Sequence, residues 1–404
     1  MSYCRMGSGS GRVVKPFRVT EPSRVVLSPD FRASPRAASR PDAVSFYRRP
    51  PCGRRMRVAF ASLFAPGHGE TPARTRTLRT ARGLAARGHD VVWLCARWWG
   101  GDHDVFEEDG IEYRSVTVEP APAAFAARLP AALRRVGPDV VHAVNSPPTP
   151  ALAATVAGSL SRAPVVVDWW RDHPADARRW YRPLARRADA VATPSRTTKT
   201  RVREHGADGD DVRVLPESID FDAVEAAGVD DRFDAVYSRR LDRHANVETF
   251  LLGLAELRGR DWTAAVIGDG PERGRIESTA ADLRIDDRVE FLGDLPTADR
   301  IPIFKGTHVA VATATWETFA TDLLRAVACG CVALVEYQAD SSAHELVEGR
   351  ERGRLVTSPA ELADEFVAVG DLDRRSVDRE FAAFDHDAVI DRYVALYEDL
   401  VDED

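Results

Sequence analysis

The stretch TAAVIGDGPERGRIESTAADLRIDDRVEFLGDL, residues 263–295, decides the fold. It opens on a short apolar run, turns through Gly268-Asp269-Gly270, and enters a segment of helical spacing behind Pro271. A second apolar run, RVEFLG (288–293), follows at once. Strand, helix and strand in so few residues make a βαβ unit, whose strands lie parallel. A Gly-x-Gly at a strand end has two readings, a phosphate contact or a tight turn with Pro271 at the first helical position. The tight turn is the expectation here.

Working outward, the same alternation fills the chain. Val-rich runs at 57–63, 90–96, 138–144, 164–170, 189–195 and 212–218 form one series. A second series runs through 232–238, 263–270, 288–293, 307–313 and 331–337. Ala/Leu/Arg segments such as TLRTARGLAARG (77–88) separate them, so each series predicts a parallel sheet with helices on both faces. The acidic piece DFDAVEAAGVDD (220–231) falls between the series and reads as the linker. The chain therefore divides into a tail (1–55), a first Rossmann-like domain (56–222), a second (223–385) and a closing segment (386–404). That last piece places Val389, Tyr393, Leu396 and Leu400 on one face of an amphipathic helix. The fold class is α/β, with two doubly wound domains facing across a cleft. Ligands of such sheets bind outside the carboxyl ends of the strands.

The net charge of −8 hides a division. Residues 1–55 hold 12 Lys+Arg against three acids, whereas residues 56–404 carry a net −17. Only three lysines occur, Lys15, Lys199 and Lys305. The acidic, lysine-poor body resembles halophilic proteins, whose self-repulsion molar salt screens over about 3 Å. It does not suit a nucleic-acid binder. The tail has no apolar core of a secretory signal, and reads as disordered. Its Arg- and Ser-rich make-up also describes a transit peptide. Met56, just ahead of RVAFASL, reads as the true start. Five cysteines at spacings that match no zinc site, and no apolar run long enough to span a bilayer, fit a reduced cytoplasmic chain without cofactor or bound metal.

Residues 267–295 closely resemble the donor-domain core of the retaining glycosyltransferases of family 4, of GT-B fold. ARGHDVVWL (86–94), PDVVHAV (138–144), ADAVATPS (188–195), VLPESID (214–220) and ELVEGRERGRLV (345–356) extend the resemblance in order over residues 56–404. It implies transfer of a sugar from a nucleotide-diphospho-sugar to an acceptor, with retention and without a metal. The sugar, the base and the acceptor are left open; a glycan or a lipid is compatible.

The family places an Arg and a Lys on the donor diphosphate. YSRRLDRHANVETFL (237–251) puts Arg240 at the arginine position and Ala245 at the lysine position. The family also carries two glutamates, Glu-x7-Glu. Glu317 fills the first place, where the resemblance implies contact with the donor sugar, and Arg325 stands at the second, the ribose site. Relatives run Glu-Gly-Phe-Gly where this chain has Glu317-Thr318-Phe319-Ala320, followed by Thr321 at the helix start. Catalytic roles thus fall to Glu317 and Arg240, and donor binding to these with Arg325, Asp322 and residues 318–321.

On a helix, Asp322, Arg325 and Cys329 share one side, and Ala320, Leu323, Leu324 and Val327 the other, expected as core. The expectation is relocation: Arg325 supplies the charge missing at Ala245, and Asp322 binds ribose or positions Arg325. The alternative is an i,i+3 surface pair.

In the first domain FAPGHGETPARTRT (64–77) stands where relatives have a Gly-rich loop, giving Gly67, His68 and Gly69 as acceptor-side candidates. Arg74 and Arg76 would reach an anionic acceptor or remain solvated. Relatives often end the next motif strand on a histidine; here Trp170 takes that place, with His173 further on and Asp168 at the strand end, either a ligand contact or a loop anchor. The Arg- and Trp-rich segment 169–189 reads as an ordinary helix with snorkelling arginines, peripheral membrane contact being the alternative. A second functional reading stands beside the transferase: a fold-retaining binding subunit that has lost the donor site.

Overall fold

The computed structural model describes residues 54–170 and 178–403. The expectations for the tail, for His173 and for Met56 as the true start concern or depend on residues outside this range, and stay untested.

The first sheet has eight strands: β1 (Arg57–Ala61), β2 (Asp90–Ala96), β3 (Val105–Glu108), β4 (Ile111–Thr117), β5 (Val140–Val144), β6 (Val165–Asp168), β7 (Ala190–Thr193) and β8 (Val212–Val214). Their spatial order is β3-β4-β2-β1-β5-β6-β7-β8, with only β3 antiparallel. Register sets Phe60 of β1 opposite Trp93 on one side and His142 on the other. The second series of strands comprises β9 (Ala235–Ser238), β10 (Ala264–Ile267), β11 (Val289–Gly293), β12 (Val309–Ala312), β13 (Trp316–Glu317), β14 (Val332–Glu336), β15 (Asp340–Ser341) and β16 (Gly353–Val356). Six of these form a wholly parallel sheet, β11-β10-β9-β12-β14-β16, while β13 and β15 pair separately. Strands buried on both faces explain the unbroken apolar runs of the sequence.

The βαβ unit of residues 263–295 is β10, the helix Arg273–Asp282, and β11. Its glycine turn is a packing device. A Cβ on Gly268, which has φ +135°, would lie 2.0 Å from the Arg239 carbonyl oxygen, and one on Gly270 2.2 Å from that of Leu241. Leu241 N donates to the Asp269 carbonyl at 3.0 Å, so the turn braces the loop after β9. Pro271 lies within the turn, two residues ahead of the helix.

Helices Pro122–Val136, Pro148–Ser161 and Arg178–Ala185 cover one face of the first sheet, burying Phe125, Leu129, Ala154 and Leu184 with Leu94. The other face holds Pro72–Ala86 together with the last helix, His386–Asp402. Val389, Tyr393 and Leu396 are buried there beside Phe60 and Trp93, with Leu400 partly covered. The amphipathic helix closes the structure by returning to the first domain.

The linker differs from expectation. Phe221 and Val224 pack in the second domain's core, so Phe221–Ala226 is a helix of that domain. Leu215 still belongs to the first domain's core, so the chain crosses between Leu215 and Ile219. Acidic residues mark only the wet face of that helix. The return crossover runs alongside: Ile219 N donates to Phe384 O and His386 N to Ile219 O, both at 3.0 Å. Ser218 Oγ lies 2.8 Å from His386 Nδ1.

Candidate functional site

A cleft of about 750 Å³ lies at the carboxyl ends of the strands. From the second domain it is lined by the loop after β9, by β13, and by the start of the helix Thr321–Ala328. Phe64 and Thr71 enter from the loop after β1 and Arg74 from the first turn of the helix Pro72–Ala86, with Asn145, Ser146 and Trp170 from the ends of β5 and β6.

The loop after β9 brings two arginines into the cleft. Arg240 lines it, exposed, with its side chain in no hydrogen bond or ion pair among the described residues. Arg239, which the motif alignment passed over, lines it too and is held at four points, one of them the Arg240 carbonyl, to which Nη1 donates at 3.2 Å. Its Nε donates to Glu317 Oε2 at 2.7 Å, Nη1 to Asp242 Oδ1 at 2.8 Å, and Nη2 to the Trp316 carbonyl at 3.0 Å. The doubled Arg239-Arg240 at a strand end was the available signal.

Glu317 lines the cleft beside Arg239. Burial holds its carboxyl above the ordinary carboxylate range, and the Arg239 guanidinium pulls it partly back. Thr318, Phe319, Ala320 and Thr321 also line the cleft. Thr318 is 4% exposed and its hydroxyl has no partner among the described residues.

Leu323, Leu324 and Val327 are buried in the second domain's core with Ala320 packed against it, as expected. Ala320, Leu323 and Ala326 also line the cleft, but Arg325 does not. Cys329 is buried, its thiol directed to the Ile301 carbonyl at 3.9 Å. The side carrying Asp322, Arg325 and Cys329 therefore meets the neighbouring helix Thr297–Gly306. Asp322 is at the boundary: it lines the cleft, but its oxygens accept from Arg325 at 2.6 Å, Arg300 at 2.5 Å and Ser238 at 2.7 Å. Burial pushes its carboxyl upward, yet Arg325 and Arg300 outweigh that and hold it below the usual range. Arg325 forms the i,i+3 pair.

In the first domain Gly67, His68 and Gly69 do not line the cleft. A Cβ on Gly67 would strike the Trp98 ring at 2.0 Å, and His68 Nδ1 accepts from Ala65 N at 3.1 Å. Gly67 is fixed by packing and His68 Nδ1 by the turn, while His68 Nε2 is buried without a partner among the described residues. Asp168 is also outside the lining, 2% exposed, with both oxygens 3.2 Å from Arg76 Nε. Arg76 further donates to the Leu215 and Pro216 carbonyls and to Tyr393 Oη. Asp168 is the anchor of that network, and Arg76 is neither solvated nor directed at a ligand.

Among the described residues no group of three or more His, Cys, Asp or Glu could hold a metal ion. No helix there is long and apolar enough to cross a membrane.

Residues 73–217 match a family model described as glycosyl transferase 4-like domain, and residues 220–369 one described as glycosyl transferases group 1. Over 134 residues the chain is 31% identical to a 2-deoxystreptamine glucosyltransferase of Streptomyces kanamyceticus, a match spanning 30% of this chain and 34% of that protein. Sucrose-phosphate synthase from Thermosynechococcus elongatus superposes with TM-score 0.68 at 17% identity, over 87% of this chain and all (100%) of that one. Anabaena HepE, solved in complex with UDP, gives 0.67 at 17% identity over 85% and 100%.

Proposed function

This chain belongs to the glycosyl transferases group 1, of GT-B fold, and on that premise we propose that it transfers a sugar from a nucleotide-diphospho-sugar to an acceptor, with retention at the anomeric carbon. The observation that carries the proposal is the convergence of Arg239, Arg240, Glu317 and the orphaned Thr318 hydroxyl on one cleft.

Breaking the bond to the anomeric carbon leaves a nucleoside diphosphate, whose growing negative charge must be offset. Arg240, free of internal partners, meets that diphosphate. Arg239, beside it, is paired with Glu317 and Asp242 and so positions Glu317 at the cleft, while Ala245, buried at 1% exposure, supplies no charge. Amides at the start of the helix Thr321–Ala328 add to the same field. Glu317, held by Arg239 through Oε2, keeps Oε1 for a donor-sugar hydroxyl. The acceptor attacks from the face the diphosphate leaves, and the departing phosphate takes its proton. No metal is needed in this scheme. The complex of HepE with UDP makes a uridine nucleotide the first donor class to try.

The relocation of the diphosphate clamp to Arg325 is replaced by this assignment, since Arg325 is spent on Asp322 outside the cleft. That placement, with Ala245, is also what favours the second reading, a binding subunit without catalysis. Arg240, unpaired among the described residues and lining the same cleft as Glu317, answers it. Product analysis by NMR with UDP-sugars and a simple acceptor such as a phenyl glycoside tests the activity. An α-linked product from an α-linked donor supports retention; hydrolysis-free donor binding without any transfer or turnover supports the binding subunit.

A further inference from the structure

The three helices on the outer face of the first sheet depart from the rest of the chain in charge. Pro122–Val136, Pro148–Ser161 and Arg178–Ala185 contain not one Asp or Glu, in a body of net −17. They lie side by side, the middle one packing on both neighbours. Arg128, Arg134 and Arg135 are exposed on one flank, Arg162 follows the middle helix, and Arg179 and Arg182 are exposed on the other. None of these six forms an ion pair among the described residues, so with no acid on the three helices their charge is not offset locally. Helix dipoles account for Arg134 and Arg135 in a last turn. The same dipoles favour carboxylates in the first turns, and all three helices have none there.

Between the arginine flanks stand Val156 and Leu160, one turn apart on the middle helix and 48% and 78% exposed. A polyanion such as RNA has no use for exposed aliphatic side chains ringed by cations. A bilayer uses both, since headgroup phosphates meet the guanidinium groups while aliphatic tips enter the acyl boundary.

We propose that this three-helix face docks the protein on an anionic lipid surface. Guanidinium groups give the charge selectivity, and Leu160 with Val156 gives a contact that salt does not screen. The inference is independent of the transferase reading, because the face is built on the helices' outer sides and not on cleft residues.

The test is cosedimentation of the purified full chain with phosphatidylglycerol-rich vesicles and with pure phosphatidylcholine vesicles. Selective binding to the first is expected. The combined variant Arg128→Glu, Arg134→Glu, Arg179→Glu, Arg182→Glu should lose about a hundredfold or more in partitioning. Leu160→Asp alone should abolish the part that survives raised salt. Thermal unfolding and nucleotide titration of each variant show whether it folds, and Arg→Gln replacements stand in if the charge reversals do not. No binding to the anionic vesicles, equal binding by folded variants, or tighter binding to heparin or RNA than to the vesicles would overturn the proposal.

Discussion

Arg239 is the residue on which the site turns, because it ties Glu317 and Asp242 in place at the cleft. Replacing it with alanine leaves the half-buried Glu317 without its cation, so the carboxyl rises further above its ordinary range. A carboxyl whose folded value lies above its unfolded one stabilises the fold below the unfolded value, and that contribution is lost as pH rises through the folded value. Arg239→Ala should therefore cost about 1–3 kcal/mol near neutrality and clearly less near pH 4. Urea unfolding at both pH values checks this; a loss independent of pH contradicts the coupling. Asp168 behaves oppositely. Burial pushes it up, but Arg76 and His142 hold it below the ordinary range, so its contribution is present above the unfolded value and lost in acid. Removing the cation by Arg76→Met, which leaves a buried carboxylate, should cost about 3–5 kcal/mol by the same unfolding assay.

Two chain crossings and one returning helix join the domains at the scale of elements. His386 caps that arrangement, its ring 2.8 Å from Ser218 Oγ. Burial, with Arg79 and Arg325 nearby, pushes its pKa down to about 3, so it stays neutral in the fold. An unfolded histidine gains a proton near pH 6.5, so stability falls as pH drops below that value and goes on falling towards pH 3. The slope from this one group approaches about 1.4 kcal/mol per pH unit. His386→Gln should flatten the pH dependence of urea unfolding across that window; an unchanged slope would show that the ring does not control it. Tyr393→Phe removes the hydroxyl that Arg76 reaches across the same helix packing, and should cost about 1–3 kcal/mol.

For the whole molecule, the alternation of Val-rich runs with helical segments was enough to read two parallel sheets, because strands covered on both faces leave no polar alternation to blur them. The packing role of the Gly268–Gly270 turn and the face of the closing helix were legible for the same local reason. The linker was not. Asp220, Asp222 and Glu225 look like solvated tether, and nothing in spacing reveals that Phe221 and Val224 between them enter a core. Nor was the orientation of Arg325. Helical period groups residues on a face but does not say which neighbour the face meets, and here Arg300 claims it through Asp322. Arg239 was hidden differently: its neighbour Arg240 matched the expected position, so the second arginine of the cleft went unnoticed.

The most direct test of the central claim is calorimetric titration of the full chain with UDP, GDP and TDP, repeated on Arg240→Ala and Arg325→Ala. The account predicts that one nucleotide binds, that Arg240→Ala weakens it by about tenfold to a hundredfold, and that Arg325→Ala leaves it within about twofold. No binding of any nucleotide, or loss of binding in Arg325→Ala with Arg240→Ala unaffected, would contradict it.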